Sequence, residues 1–439
     1  MRLVLLALAL TAEAVCIGLA GRFGDFTQAG HALRFVPLML GAGVCFGCAI
    51  AVFPPGVARS LPWVVWAPCI LFRLIALPMA PGDDLWRYLW EGRVQLAGHN
   101  PYLLSPAAPE LTPLRDADWA RINHAESPAI YPPLAEIVFA ALACVSATPL
   151  FFKCVFTLAD LLVVGVLFKL VRGPERHRDV ASYAWNPAVV YAFAGGGHFD
   201  SLMLLALMAA VWALAQGAGA PPPRRDELGA GAPLLLASTV GLGVAVAFKI
   251  VPIFLLPVWA FALGRRWWLS GMAVVIPALL TLSFGGPAIV LRPLLAFAEV
   301  TRFNDLVWGF LEQATMANPL GRNWPFTLAL SVAVAVIAWK MRDDWPRAVL
   351  WVLGALLLLS PVLHPWYATW ILPVAVWRRQ PAWTVLSITA LGGFLLWETT
   401  PWWTAWQPNL LTRAMVAAPP LFAWVIAKRM IAKVPTSAR

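Results

Sequence analysis

Two adjacent carboxylates, followed at helical spacing by a cation and a third carboxylate, form the most chemically loaded stretch of the chain. They are Asp83, Asp84, Arg87 and Glu91 within PGDDLWRYLWEGRVQLAGHNPY, residues 81–102. At 3.6 residues per turn Asp84, Arg87 and Glu91 share one face, and Arg87 can pair with either carboxylate. A carboxylate within hydrogen-bond reach of a hydroxyl takes its proton as a new bond forms. The same aspartates also fit a structural role, because acids at a helix start satisfy orphan amides and complement the dipole. Spacing alone leaves both roles open. Adjacent aspartates attract divalent cations, but too few further oxygen ligands accompany them to expect a metal site.

Other polar residues stand in apolar surroundings. Lys249 lies between apolar runs at 234–248 and 250–263, where a lysine either snorkels to the surface or faces an interior partner. His198 and Asp200 follow three glycines and open the next run, so Asp200 reads as a helix cap or as part of a polar pocket. His364 precedes Pro365, Trp366 and Tyr367, and an imidazole among aromatics suits either a structural contact or a sugar or phosphate. Arg93 and Arg302 are further cations near the same face of the chain. Asp160, in LADLL, needs a partner on another helix. The six cysteines lie in or beside apolar runs, and Cys45 and Cys48 lack the second pair or histidine that a zinc site needs.

The elements that position these groups must be membrane helices. Of 439 residues 61% are hydrophobic and 12% charged, with a mean hydropathy of +0.74. Apolar runs recur along the whole chain without strand alternation, so the fold class is all-α and polytopic. Several runs are shorter than the ~17 residues of a full span. About fifty residues at 81–133 interrupt this pattern with seven carboxylates and four arginines. The first run, with Arg2 ahead of it and Ala12-Glu13-Ala14 behind, also fits a cleavable leader.

The net charge of +10 does not signal nucleic acid. Arginines and lysines punctuate helix ends, at 172–178, 224–225, 265–266, 342–347, 378–379 and 428–433, as the positive-inside rule requires. Counting crossings from either terminus puts 81–133, 195–200, 285–323, His364 and 399–409 on the outer side. The two counts differ by one crossing between 134 and 171, so either 134–150 is not a simple span or the cations at 172–178 break the positive-inside rule. The organisation is an N-terminal module at 1–216 with an outer loop at 81–133, a Pro/Gly-rich cytoplasmic linker at 217–233, and a C-terminal module at 234–439 with an outer loop at 285–323.

The DLWRY of 84–88, the following EGR and GHNPY, and then YPPL at 131–134 resemble the first outer loop of GT-C fold glycosyltransferases. The likeness is greatest to bacterial polyprenol-phosphate-mannose-dependent mannosyltransferases, glycosyltransferase family 87 and its relatives. Trp185-Asn186-Pro187, then 197–201 (GHFDS), 248–252 (FKIVP) and 364–367 (HPWY) match in order. The resemblance implies about 12 to 14 transmembrane helices and a catalytic aspartate on the first large outer loop. It aligns that aspartate with Asp84 rather than Asp83, although the doubling departs from members with one.

It also implies that Lys249 serves the donor phosphate and that His198 and Asp200 line the sugar pocket; Arg302, Arg93, Arg87 and His364 are the further donors available to that phosphate on the outer side, and Tyr131, Trp366 and Tyr367 are expected beside the sugar or acceptor. The expected reaction moves a sugar, with mannose first, from a polyprenyl phosphate carrier to a glycolipid or glycan at the outer face of a bacterial inner membrane. It inverts configuration in one step, with no cofactor expected and no metal site assigned. A transporter or flippase of a lipid-linked sugar precursor is the alternative. It would place charged or broken helices at the midplane, whereas the polar residues here gather at one end of the helices. No phosphate-binding glycine fingerprint precedes a helix, which counts against a nucleotide-sugar donor.

Overall fold

The computed structural model describes residues 1–54, 63–217, 231–303, 307–309, 311, 321–398 and 410–432. Most of the expected linker at 217–233, much of 304–320 within the expected outer loop 285–323, and the expected outer segment 399–409 lie outside these residues. Among the described residues the fold is all-helical and has no strands beyond one isolated bridge between Phe303 and Val362.

The N-terminal helices are α1 (Arg2–Ala20), α2 (His31–Val52), α3 (Trp63–Ala76), α4 (Asp83–Leu96), α5 (Pro133–Ser146), α6 (Pro149–Leu170), α7 (Arg176–Ala184) and α8 (Asp200–Gly217). After them come α9 (Ala232–Phe248), α10 (Leu256–Leu263), α11 (Met272–Thr281), α12 (Pro287–Val300), α13 (Trp324–Lys340), α14 (Trp345–Leu359), α15 (Pro381–Ala390) and α16 (Leu410–Ala432). Prolines open α5, α6, α12 and α15 at the first helical position, where the missing N–H costs nothing.

Among the described residues five stretches are long and apolar enough to cross a membrane: Arg2–Phe23, His31–Val52, Pro149–Leu170, Asp200–Gly217 and Val251–Phe284. Seven shorter apolar helices stand beside them, α5 included. At 14 residues α5 is about 21 Å long, well under the ~30 Å of a hydrocarbon core. Leu158 and Leu162 on α6 and Trp267, Trp268 and Trp339 are among many large apolar side chains left exposed. In lipid such residues need no covering protein.

Inside the bundle one buried polar cluster is closely paired. Arg73 on α3 donates to Asp160 on α6 at 2.7 Å and to the Ala184 carbonyl at 2.7 Å, while the Tyr183 hydroxyl donates to the other Asp160 oxygen at 2.8 Å. Three helices are thereby tied at one buried point, and Asp160 has the partner its setting demands.

Two glycines permit the close approaches that shape the site end. A Cβ on Gly92 would lie 2.5 Å from the Phe139 carbonyl oxygen, so α4 can lie against α5 only with glycine there. Gly197 has φ +75°, and a Cβ on it would press within 2.8 Å of the Lys153 side chain. It follows a π-helical turn at Tyr191–Gly195, and the Gly82 N–H donates to the Gly196 carbonyl at 2.9 Å. This joins the segment before Asp83 to the segment before His198.

Candidate active site

The aspartates stand at the first turn of α4, and the capping role open to them is only partly realised. Gly82 makes no side-chain cap, and Asp83 accepts one local bond, from the Asp84 N–H at 3.0 Å. Their remaining contacts are tertiary. The Asn123 amide donates to Asp84 Oδ1 at 2.8 Å and to Asp83 Oδ2 at 3.3 Å, and His198 Nδ1 lies 3.6 Å from Asp84 Oδ2. Asp84 keeps 21% of its side chain exposed, towards a cavity.

The pair titrates asymmetrically. Burial pushes Asp83 up to about 6, and the charge of Asp84 beside it pushes the same way. Burial also opposes ionisation of Asp84, yet the His198 contact and the Asn123 amide outweigh it and hold this carboxyl well below the usual carboxylate range. Two adjacent carboxyls therefore differ in proton affinity.

Two cavities meet at them, and a third adjoins the first. One of 260 Å³ is lined by Asp83, Asp84, Asn123, Tyr131, Lys249, His364, Trp366 and Tyr367, together with Arg87 and several loop residues. A second, of 110 Å³, reaches Asp83 from the other side and is walled by Phe26, Trp86, Tyr191, Trp366, Phe394 and Trp397, with Asp25, Thr27 and Arg121 among them. A third, of 240 Å³, is lined almost wholly by apolar residues of α9, α11 and α12 and shares Ile130 and Tyr131 with the first. Asp83 belongs to both polar cavities; Asp84 lines only the first.

Lys249 does not snorkel. It follows the last residue of α9 in extended backbone, and its ammonium donates to Asp200 Oδ1 at 2.7 Å and sits 4.7 Å over Tyr367, 4.8 Å over Trp370 and 5.4 Å over Phe199. Asp200 is buried at the start of α8, where the Trp370 indole also donates to it at 2.7 Å. Asp200 thus fixes the lysine head from behind and does not itself line the cavity. With 14% of its side chain exposed, Lys249 points a partly neutralised cation into the space that Asp84 also faces.

The aromatic wall is a column of rings. His198 stacks on Trp366 at 3.8 Å, Trp366 on His364 at 4.4 Å and His364 on Phe303 at 4.5 Å. Burial pushes His364 down to about 4, despite the opposing pull of Asp84, so at neutral pH it is an uncharged imidazole. Its Nδ1 and that of His198 are buried without a hydrogen-bond partner. Tyr131 closes the floor, edge-on to Tyr88, Phe139 and Phe199, with its carbonyl accepting from Tyr102 at 2.6 Å.

The remaining cations expected near a phosphate have other partners. Arg87, 3% exposed, donates to Glu91 at 2.7 Å, to the Asn123 and His124 carbonyls at 3.1 and 2.9 Å and to the Ser127 carbonyl at 2.6 Å. Arg93 is ion-paired with Asp116 and bonded to the Leu114 carbonyl, outside the cavity lining. Arg302 donates to Asn323 at 3.1 Å and lies 4.8 Å over Phe326. Among the described residues no three His, Cys, Asp or Glu side chains gather as a metal site would.

Two contributors carry no signal in the sequence. Asn123 lies in a polar loop among many such residues, and only the fold brings it to both aspartates. Lys153 looks like an ordinary lysine at a helix start, yet its ammonium donates to the Leu77 and Met79 carbonyls at 2.7 and 2.8 Å and holds the segment leading to Asp83.

Residues 26–265, more than half of the chain, match the family model described as alpha-(1->6)-mannopyranosyltransferase, N-terminal domain, of the MptA_B family. The matched region includes Asp83, Asp84, Asn123, His198, Asp200 and Lys249, and His364 lies beyond it. No curated protein matches the chain.

Proposed function

The chain belongs to the MptA_B family of alpha-(1->6)-mannopyranosyltransferases and is a multi-pass membrane glycosyltransferase, and from that premise we propose that it takes mannose from a polyprenyl phosphate carrier and adds it to a glycolipid or glycan acceptor. The observation that carries this reading is that two cavities meet at Asp83, and that the one also lined by Asp84 adjoins an apolar cavity at Ile130 and Tyr131. In this reading the GT-C fold, its 12 to 14 membrane helices and an outer, periplasmic active site in a bacterial inner membrane follow from the family resemblance and the charge pattern.

The donor lies with its lipid in the apolar cavity of α9, α11 and α12, whose lining suits a polyprenyl chain. Its phosphate meets Lys249, held by Asp200, in the adjoining polar cavity. Neutral His364 contributes a hydrogen bond there rather than a charge. The acceptor sugar enters the aromatic-walled second cavity, where flat rings stack against sugar faces and Asp25 and Arg121 bind hydroxyls.

Asp83 spans both polar spaces and, of the two aspartates, is the one whose proton affinity lies nearer neutral pH. As the acceptor oxygen bonds to the anomeric carbon, the carbon–oxygen bond to phosphate breaks. The hydroxyl proton passes to Asp83, and the electron pair leaves on polyprenyl phosphate. Asp84 stays ionised and stabilises positive charge growing on the sugar ring. Attack from the face opposite the phosphate inverts the anomeric carbon, so an alpha product comes from a beta-linked donor. The sequence pattern ranks Asp84 first; shared cavity lining and proton affinity support Asp83 as the acceptor of the proton.

The test is transfer by the purified chain in liposomes, given synthetic polyprenyl phosphate mannose and a membrane glycolipid extract. A mannosylated lipid and free polyprenyl phosphate appearing in equal amounts support the reaction. Donor that changes leaflet without being cleaved would instead mark a flippase.

A further inference from the structure

A larger cavity, of 580 Å³, lies at the opposite end of the bundle, between the ends of α6 and α8. Both helices start at the site end, α6 with Lys153 below Met79 and α8 with Asp200. α6 runs for 22 residues, about 33 Å, and is one of the stretches long enough to cross a membrane. With its start at the site end, the cavity at its other end belongs to the opposite interface.

Its lining holds three cations, Lys169, Arg172 and Arg176, two aromatic rings, Phe168 and Trp212, and no carboxylate among the described residues. Among the described residues, the acids that follow Arg172 in the sequence have other partners: Glu175 is 3.7 Å from Arg178, and Asp179 is 2.9 Å from Arg379. The Lys169 ammonium sits 5.3 Å over Trp212, and the Arg176 guanidinium sits 5.3 Å over Phe168 while donating to that residue's carbonyl. Arg172 is exposed.

The positive-inside rule asks for cations here, but not for a concave site walled by aromatics. The carbonyl end of α6 offsets only about half a charge. Below Lys169 on the same face of α6, at helical spacing, come Leu162 and Leu158, exposed to the bilayer at 51% and 57%. Cations above an apolar, lipid-facing stripe match a phosphate that carries acyl chains better than one free in water.

We propose that this cavity binds the phosphate headgroup of an anionic phospholipid, with its acyl chains along the Leu158 and Leu162 face. The site is about a membrane thickness from the aspartates and independent of the sugar chemistry.

Native mass spectrometry of the full chain in detergent tests this with phosphatidylglycerol or phosphatidylcholine added. The wild type should retain phosphatidylglycerol at concentrations where phosphatidylcholine is not retained. Lys169→Gln with Arg172→Gln should weaken that retention by roughly ten- to thirtyfold, the scale expected for two interfacial cations. A charge-matched pair, Arg342→Gln with Arg347→Gln, should leave it unchanged. If the first pair does not fold, Arg172→Gln alone, at an exposed side chain, should still weaken retention several-fold. Equal retention of the two lipids, an equal loss in the charge-matched control, or displacement of the lipid by excess inorganic phosphate would each overturn the proposal.

Discussion

Asn123 bridges the two catalytic candidates: its amide nitrogen lies 2.8 Å from Asp84 and 3.3 Å from Asp83. The loop that carries it is fastened to α4 by Arg87, whose guanidinium takes the carbonyls of Asn123, His124 and Ser127. His124 adopts φ +47°, in the left-handed region uncommon for residues other than glycine, and turns its carbonyl to that arginine. The helix bearing the acids thus holds the loop that orients them.

Asn123→Ala should lower turnover about ten- to hundredfold with little change in donor KM, because it misaligns the carboxyls without touching the phosphate. Arg87→Met should do the same and also destabilise the fold, since Glu91 is left buried without its ion pair. Steady-state kinetics that split kcat from KM provide the check.

Lys249→Met should weaken transition-state stabilisation by about a hundredfold or more, the usual cost of losing a preorganised donor to a developing anion. Asp200→Asn, which keeps the shape but removes the charge behind the lysine, should produce a smaller loss dominated by donor KM. The paired measurement is donor titration at saturating acceptor.

The Arg73 and Asp160 pair makes a stability prediction. Removing one partner, as in Asp160→Leu, strands a buried charge and should cost about 3–5 kcal/mol, whereas Arg73→Met together with Asp160→Leu should recover much of that loss. Thermal unfolding of detergent-purified variants reads this directly.

Activity should fall as pH drops through about 6, because Asp83 must be ionised to accept a proton and its affinity is raised to that value. Below that point the rate should fall about tenfold per pH unit. His364→Gln should leave this limb in place, since burial keeps His364 neutral down to about 4. A pH profile of kcat/KM for wild type and His364→Gln tests both statements.

What the sequence reveals and what it hides follow one physical division. His198, Lys249 and His364 stand out because polar groups beside apolar runs need a reason to be there, Asp83 and Asp84 because they open the long polar interruption at 81–133, and the fold brings all five to two adjoining cavities. The helical class was legible for the same reason, in hydropathy. Arg87 was readable as a cation but not as a clamp, because its partners are backbone carbonyls some forty residues away that no side-chain pattern announces. Asn123 and Lys153 were invisible because their importance is geometric: polar side chains in polar or boundary segments acquire a role only once the turn at Gly197 and the close helix contact at Gly92 bring distant segments together. Asp200 shows the intermediate case, marked by its setting yet serving Lys249 instead of facing the cavity.

The central claim, that Asp83 accepts the proton beside an ionised Asp84, is tested most directly by single-turnover transfer as a function of pH in wild type, Asp83→Asn and Asp84→Asn. Asp83→Asn should lose about 10²–10⁴ in rate together with the acid limb near 6, while donor binding persists. Asp84→Asn should be impaired but retain the limb, moved to lower pH because the charge that raises Asp83 is gone. A wild-type rate with an unchanged acid limb in Asp83→Asn would contradict the account.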